Sequence, residues 1–196
     1  KDPAWSKVLP HSTAYQTHQV YQQAGELPLT KEQRKLQYEQ QHAEFDARIG
    51  FTKDGGVVIG HNAWTNYIVG ERWNIIFDIV PEKGNRILMD GLPGVIASDD
   101  DFGVNSAGIM ITETTITGFE LFDPAGTPEF YRARKAMQYS NSIDDYMRIM
   151  LDGNNGGYAN DWLIGDNKTG EIALFEMGLK EHSVRRTKDG YFVGSN

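Results

Sequence analysis

Three short stretches put polar side chains where an apolar strand would otherwise continue: GHNAW at 60–64, ITETT at 111–115 and NNGGYANDW at 154–162. His61 can act as acid or base near neutral pH, alone or with Asp99 and Asp100, and the same three residues are the set that a metal would draw on. Ligand spacing of the HxxxH type is absent, which weakens the metal reading. Each stretch also has an ordinary explanation. His61 and Asn62 can turn the chain, Thr112, Thr114 and Thr115 suit a pleated strand surface, and Asn154 to Gly157 compose a flexible turn.

The elements that must position these residues are legible from turn signals and apolar runs. Residues 1–41 read as an irregular arm with Pro3, Pro10 and Pro28, followed from Thr30 by an exposed helix with a cap at Thr30 and Gln33 three residues on. ARIGFT, the turn KDGG and VVIGHNAW predict a hairpin, and RWNIIFDIV, PEKGN and RILMDGL predict a second. Both alternating sets of RWNIIFDIV contain apolar residues, so this strand is expected to be central with both faces covered. PGVIASDDDFGVNSAG reads as a loop whose acids at Asp99 to Asp101 are either a solvated tip or a place where the backbone is braced.

GIMITETTIT reads as a strand by its β-branched content. A helix opens after Pro128, and another follows Ser142, where Ser142 and Asp145 form a capping pair and Gly153 ends it. DWLIGDNKTGEIALFEMG predicts two strands around a turn, and SVRRTKDGYFVG a further hairpin. Strands, two helices and strands again suit an α+β fold in which helices cover mainly antiparallel sheets, a four-layer αββα sandwich if two sheets form.

The 196 residues, 39% of them hydrophobic, are enough for one domain with a buried core. A net charge of −8 and a pI near 5.1 argue against a nucleic-acid partner. No stretch approaches the ~20 apolar residues of a membrane helix. The absence of cysteine removes disulfides, thiolate metal sites and thiol nucleophiles together. The first residue is Lys1 and the last run, YFVGSN, meets turn residues without a closing element, so a processed piece of a longer polypeptide is expected.

Taken together and in this order, GHNAWTN, the loop leading into ITETT, NNGGYANDWLIGDNKTGEIALFEMG and GYFVGSN resemble the phospholipase B-like proteins and the bacterial relatives of isopenicillin N acyltransferase. Both belong to the N-terminal nucleophile hydrolases. The resemblance covers residues 42–196 and implies a self-cleaving αββα sandwich in which a new N-terminal cysteine attacks an amide or ester carbonyl, with its own α-amino group as base. It implies no cofactor and no metal. By the same matching His61 and Asn62 stand beside the nucleophile, Thr114 points into the site, Asn160 donates to the oxyanion, and Trp64 and Tyr158 wall the substrate pocket. The implied partner is a small acylated substrate, with a further chain or C-terminal segment completing the domain. Secreted, periplasmic or lysosomal residence is expected over cytoplasmic.

The chain departs from that pattern where the nucleophile belongs. HAEFDA at 42–47 has no cysteine, and no serine or threonine lies between Thr30 and Thr52. Two readings of different class therefore stand: a hydrolase of linear amides or acyl esters, which requires a thiol or hydroxyl at the start of the ARIGFT strand, and a catalytically silent binding or assembly subunit.

Overall fold

Thr52 begins a tight turn, its amide donating to the Gly56 carbonyl at 2.8 Å, and Gly55 takes the left-handed conformation at φ +84°. This turn joins β1 (Ala47–Phe51) to β2 (Val57–Gly60) as the antiparallel hairpin that ARIGFT and VVIG predict. The fold is that of a computed structural model, which describes residues 47–63, 67–72, 74–98, 101–116 and 118–194. The expected arm and exposed helix at 1–41 lie outside the described residues, as do Trp64, Asp99 and Asp100.

A short helix α1 (Tyr67–Arg72) follows, then β3 (Ile75–Ile79), β4 (Ile87–Gly91), β5 (Phe102–Asn105), β6 (Ile109–Thr115), α2 (Glu129–Tyr139), α3 (Ile143–Leu151), β7 (Asn160–Asp166), β8 (Glu171–Met177), β9 (His182–Thr187) and β10 (Tyr191–Gly194). Strands β3 to β9 form a seven-stranded sheet in sequence order, and β10, β1 and β2 form a three-stranded sheet, with every pairing antiparallel. The α+β class with antiparallel sheets is therefore as expected.

Alternation along the strands divides the large sheet into two buried faces. Ile111, Trp162 and Phe175 point at α2 and α3, where they meet Ala136, Met137, Tyr146 and Met150. Leu163, Ile172 and Leu174 point the other way, against Ala47 and Ile49 of the small sheet. The described residues thus stack as helices, large sheet and small sheet, three layers of the αββα order. The outer face of the small sheet exposes Val58, Tyr191 and Val193.

Three sequence expectations need correction. RWNIIFDIV is not central: β3 is an edge strand, with Ile76 65% exposed and Asp78 paired to Arg86 on the surface. Its two-sided apolar pattern lacks the second cover that such a pattern usually signals. SVRRTKDGYFVG is not a hairpin, because β9 pairs with β8 and β10 pairs with β1, so the KDG turn carries the chain from one sheet to the other. The loop before ITETT contains β5, whose four residues are too short to stand out from their polar surroundings.

Helix α3 starts as the capping pair predicts. The Ser142 hydroxyl accepts from the Asp145 amide at 3.1 Å, and Gly153 just past the helix adopts φ +67°. Ser142→Ala is expected to cost about 1 kcal/mol and about 2–4 °C in melting temperature. Thermal unfolding followed by circular dichroism checks this, and an unchanged midpoint would remove the cap from the account.

Candidate active site

The end of the large sheet where β6 stops and β7 begins carries polar residues on both faces. Facing the small sheet is a row of directly opposed residues, Thr114 on β6, Asp161 on β7, Glu176 on β8 and Ser183 on β9. Thr114 is buried and its Oγ1 has no hydrogen-bond partner, as is true of Asp161 Oδ1. Ser183 donates to Glu176 Oε2. Burial pushes the Asp161 carboxyl up to about 6, with Glu176 raising it further and Arg185 lowering it.

Gly194, the last residue of β10 and the partner of Ala47, closes down on this row. A Cβ there would come within 2.7 Å of Thr114 Oγ1 and 3.0 Å of Leu163 Cδ1, so glycine permits the approach of the two sheets. Farther along β1, Ile49 lies over Gly165, where an added Cβ would meet its Cδ1 at 3.0 Å. β1 therefore begins at the Thr114 end of the row. Gly60 pairs with Arg48, so the chain leaving β2 into His61 and Asn62 also passes beside the start of β1. His61 is partly buried and Asn62 exposed.

On the helix face the same sheet end holds Glu113 and Asn160. Asn160 Nδ2 donates to Glu113 Oε1 at 2.6 Å, both residues are buried, and Asn160 Oδ1 has no partner. The Glu113 amide donates to the Asp101 carbonyl at 3.1 Å, and Asp101 is held at φ +56°, so the acidic loop is a braced backbone at this residue. Burial pushes the Glu113 carboxyl up to about 7; a hydrogen bond from Asn160 and one shared with Asp101 pull it down, and Glu129 and Asp161 push it up. Glu129, the first residue of α2, is likewise pushed up to about 7 by burial, against the pull of Arg132. Beside them lies a pocket of about 60 Å³ lined by Asp101, Phe102, Ile111, Glu129, Ala133 and Trp162, space for a few water-sized groups. The Trp162 indole N–H and the Tyr146 hydroxyl are buried without partners, their rings 5.7 Å apart.

The predicted site residues are thus only partly gathered. The chain into His61 and Asn62 leaves the small sheet beside the start of β1, and Thr114 of the large sheet lies against Gly194, the partner of Ala47 there. Asn160 stands on the opposite face from Thr114 and has committed one N–H to Glu113. Tyr158, 42% exposed, bonds its hydroxyl to Thr115 Oγ1, beside the strand on which Asn160 lies. Sequence reasoning passed over Glu113, Asp161, Glu176 and Glu129. Glu113, Asp161 and Glu176 were readable as acids interrupting strands, within TETT, NDW and LFEM; Glu129 had no local signal. Among the described residues, no three His, Cys, Asp or Glu side chains lie together as a metal site.

At the small-sheet face this arrangement offers two acids and an unpaired hydroxyl between the two sheets. At the helix face it offers a partly open pocket lined by Asp101 and Glu129, beside the buried Glu113, with the carboxyls of Glu113 and Glu129 pushed toward the protonated form by burial.

The chain matches the family described as Phospholipase B over residues 18–176. It is 30% identical to Phospholipase B-like protein F of Dictyostelium discoideum over 123 residues, 58% of this chain and 22% of that protein. It is 28% identical to Putative phospholipase B-like 2 of Homo sapiens over 130 residues, 57% of this chain and 22% of that one. The chain spans about a fifth of the length of the curated relatives it matches. Among solved structures it is similar to a variant of conjugated bile acid hydrolase from Clostridium perfringens, at 16% identity and a TM-score of 0.49, covering 74% of this chain and 52% of the other. Similarity to penicillin V acylase from Agrobacterium tumefaciens is weaker, at 9% identity and a TM-score of 0.40, covering 72% and 50%. No helix among the described residues is long and apolar enough to cross a membrane.

Proposed function

The chain belongs to the phospholipase B family, and from that membership we propose that it acts on a linear amide or acyl ester through an acyl-enzyme, with the reacting carbonyl held where β1 begins. The observation that carries this is convergence: the family match runs through all three polar stretches, and two of them meet at the start of β1 from different sheets. In this reading His61 and Asn62 position the attacking group, and Thr114 offers its unpaired hydroxyl. Asn160 faces the helix layer and braces Glu113, so in this reading the oxyanion at the start of β1 is left to donors other than Asn160. Trp64 and Tyr158 wall the acyl group. The substrate is a small acylated molecule. The protein works in a secreted, periplasmic or lysosomal setting.

A second reading is favoured by one specific observation. The family match passes through 31–51, and that window has no cysteine, serine or threonine. On this reading the pocket is kept and the chemistry is lost, leaving a binding subunit.

Intact mass and N-terminal sequencing, combined with incubation with a fatty acyl amide and a fatty acyl ester, separate the two. A second N-terminus near residue 42 together with release of fatty acid supports the hydrolase. One continuous chain that binds either acyl compound without turnover supports the silent subunit. Absence of both binding and turnover for every acyl compound would overturn the acyl-substrate reading itself.

A further inference from the structure

The pocket of about 60 Å³ between the large sheet and the first turns of α2 carries two donors that the fold leaves unused. Trp162 in its wall is 3% exposed, and its indole N–H has no acceptor among the described residues. Native folds keep few buried donors in that state. Arg134, also in the wall, gives Nη1 to the Ile96 carbonyl at 3.0 Å and Nη2 to Gln138 Oε1 at 3.4 Å, while its Nε–H is buried without a partner.

Two acids of the same wall supply acceptors. Arg132 and Asp101 act on the Glu129 carboxyl only through space, so neither takes up its oxygens by hydrogen bonding. Asp101 shares one hydrogen bond with Glu113, and a carboxyl with two oxygens keeps further acceptor positions. Its backbone sits at φ +56°, the one non-glycine residue in the left-handed region among the described residues, so the fold holds Asp101 at the pocket against a conformational cost. Ser98, the remaining polar side chain of the wall, is already engaged: it donates to Asp90 and accepts from the Phe102 amide.

We propose that this pocket binds a vicinal diol, each hydroxyl accepting from Trp162 or Arg134 and donating to Asp101 or Glu129. Charged guests match the wall less well. An ammonium group has no lone pair for the two unused N–H donors and would face the Arg134 guanidinium, whereas a carboxylate would face both acids. A hydroxyl donates and accepts at once, and the carbons that bear a diol meet the apolar side chains of Ile111, Ala133 and Met137. Two sources share this chemistry, a free small polyol and the hydroxyl edge of a sugar. The site lies on the opposite face of the sheet from Thr114, so it stands or falls independently of the acyl-substrate reading.

The indole proton–nitrogen resonance of Trp162, identified in the labelled full chain by its loss in Trp162→Phe, reports on the pocket directly. Propane-1,2-diol is titrated against 1-propanol, propylammonium and propionate. The diol is expected to move this resonance saturably, with a dissociation constant on the order of 10 mM for so few atoms. The other three are expected to bind about tenfold more weakly, each lacking part of the donor and acceptor match. Asp101→Gly removes one carboxyl and suits the left-handed backbone, so it should weaken the diol about tenfold while melting close to the wild type. Ala133→Leu fills the pocket and should abolish the shift; if that variant does not fold, Asp101→Gly decides. A saturable shift with methyl glucoside as well assigns the diol to a sugar, and a shift with propane-1,2-diol alone assigns it to a free polyol. No saturable movement with the diol, equal affinity for 1-propanol, or undiminished affinity in Asp101→Gly overturns the site. Binding of propylammonium or propionate as tight as that of the diol overturns it in favour of a charged guest.

Discussion

Raising the pH from about 4.5 to about 8 is expected to lower the stability of the domain by several kcal/mol, most of it before pH 7 is passed. The cause is the carboxyl cluster under α2. Glu113 and Glu129 are pushed up to about 7 from the ordinary value of 4.5, chiefly by burial. Between those two values the folded chain keeps protons that the unfolded chain has released. Folding is therefore favoured in acid, and that advantage fades as pH rises through about 7. Asp161, pushed up to about 6, adds to the same slope. Asp78 and Asp145, held low by hydrogen bonds from Arg86 and Arg148, work in the opposite direction, but Asp78 is exposed and Asp145 half-buried, and they act only below about pH 4. Glu113→Gln keeps an oxygen to accept from Asn160 and removes the ionisation, so it should stabilise the protein at about pH 8 and flatten the slope. Adding Glu129→Gln should flatten it further. Melting temperatures across this range decide the matter: a profile that stays level or climbs between about pH 5 and 8 would refute the assignment.

How much of this was legible in the sequence depended on whether the determining interaction was local. The Ser142 cap, the KDGG turn and the strand character of ITETT rest on a few neighbouring residues, and the chain forms them as read. Where β10 pairs is not local. Thr187 and Tyr191 flank a turn suited to a hairpin, yet the bond partners of β10 are on β1, nearly the whole described chain away. The apolar richness of β3 is equally ambiguous, because hydropathy records what a strand could bury and not whether a neighbour arrives to cover it. At the site, the motif drew notice to Thr114 and Asn160, whereas strand alternation places them on opposite faces of one sheet. The same alternation, applied to NDW, would have singled out Asp161 as the acid that shares a face with Thr114. Glu129 was beyond reach, since its shifted carboxyl depends on α2 docking against the sheet.

Replacing Arg132 is expected to be the most damaging single change in the helix layer. Its side chain is 1% exposed, among the largest fully buried in the described chain. Nε donates to the Thr127 carbonyl at 2.9 Å and Nη1 to the Met150 carbonyl, with Met177 Sδ 3.9 Å away, so one guanidinium ties the start of α2 to the end of α3 and to β8. Arg132→Met fills much of the volume but leaves the buried Met150 carbonyl without this donor, and Glu129 without its neighbouring cation. The expected loss is about 3–5 kcal/mol, read from the urea midpoint at constant slope. Arg132→Lys should recover only part of it, because a single ammonium cannot reproduce the planar fork that reaches two carbonyls at once. The methionine variant should also move the pH dependence: with its cation gone, Glu129 holds its proton to still higher pH, and the fall in stability shifts toward alkaline values. A loss below about 1 kcal/mol for Arg132→Met would mean that the guanidinium only fills space, and that the two helices are held by Ala136, Tyr146 and Met150 alone.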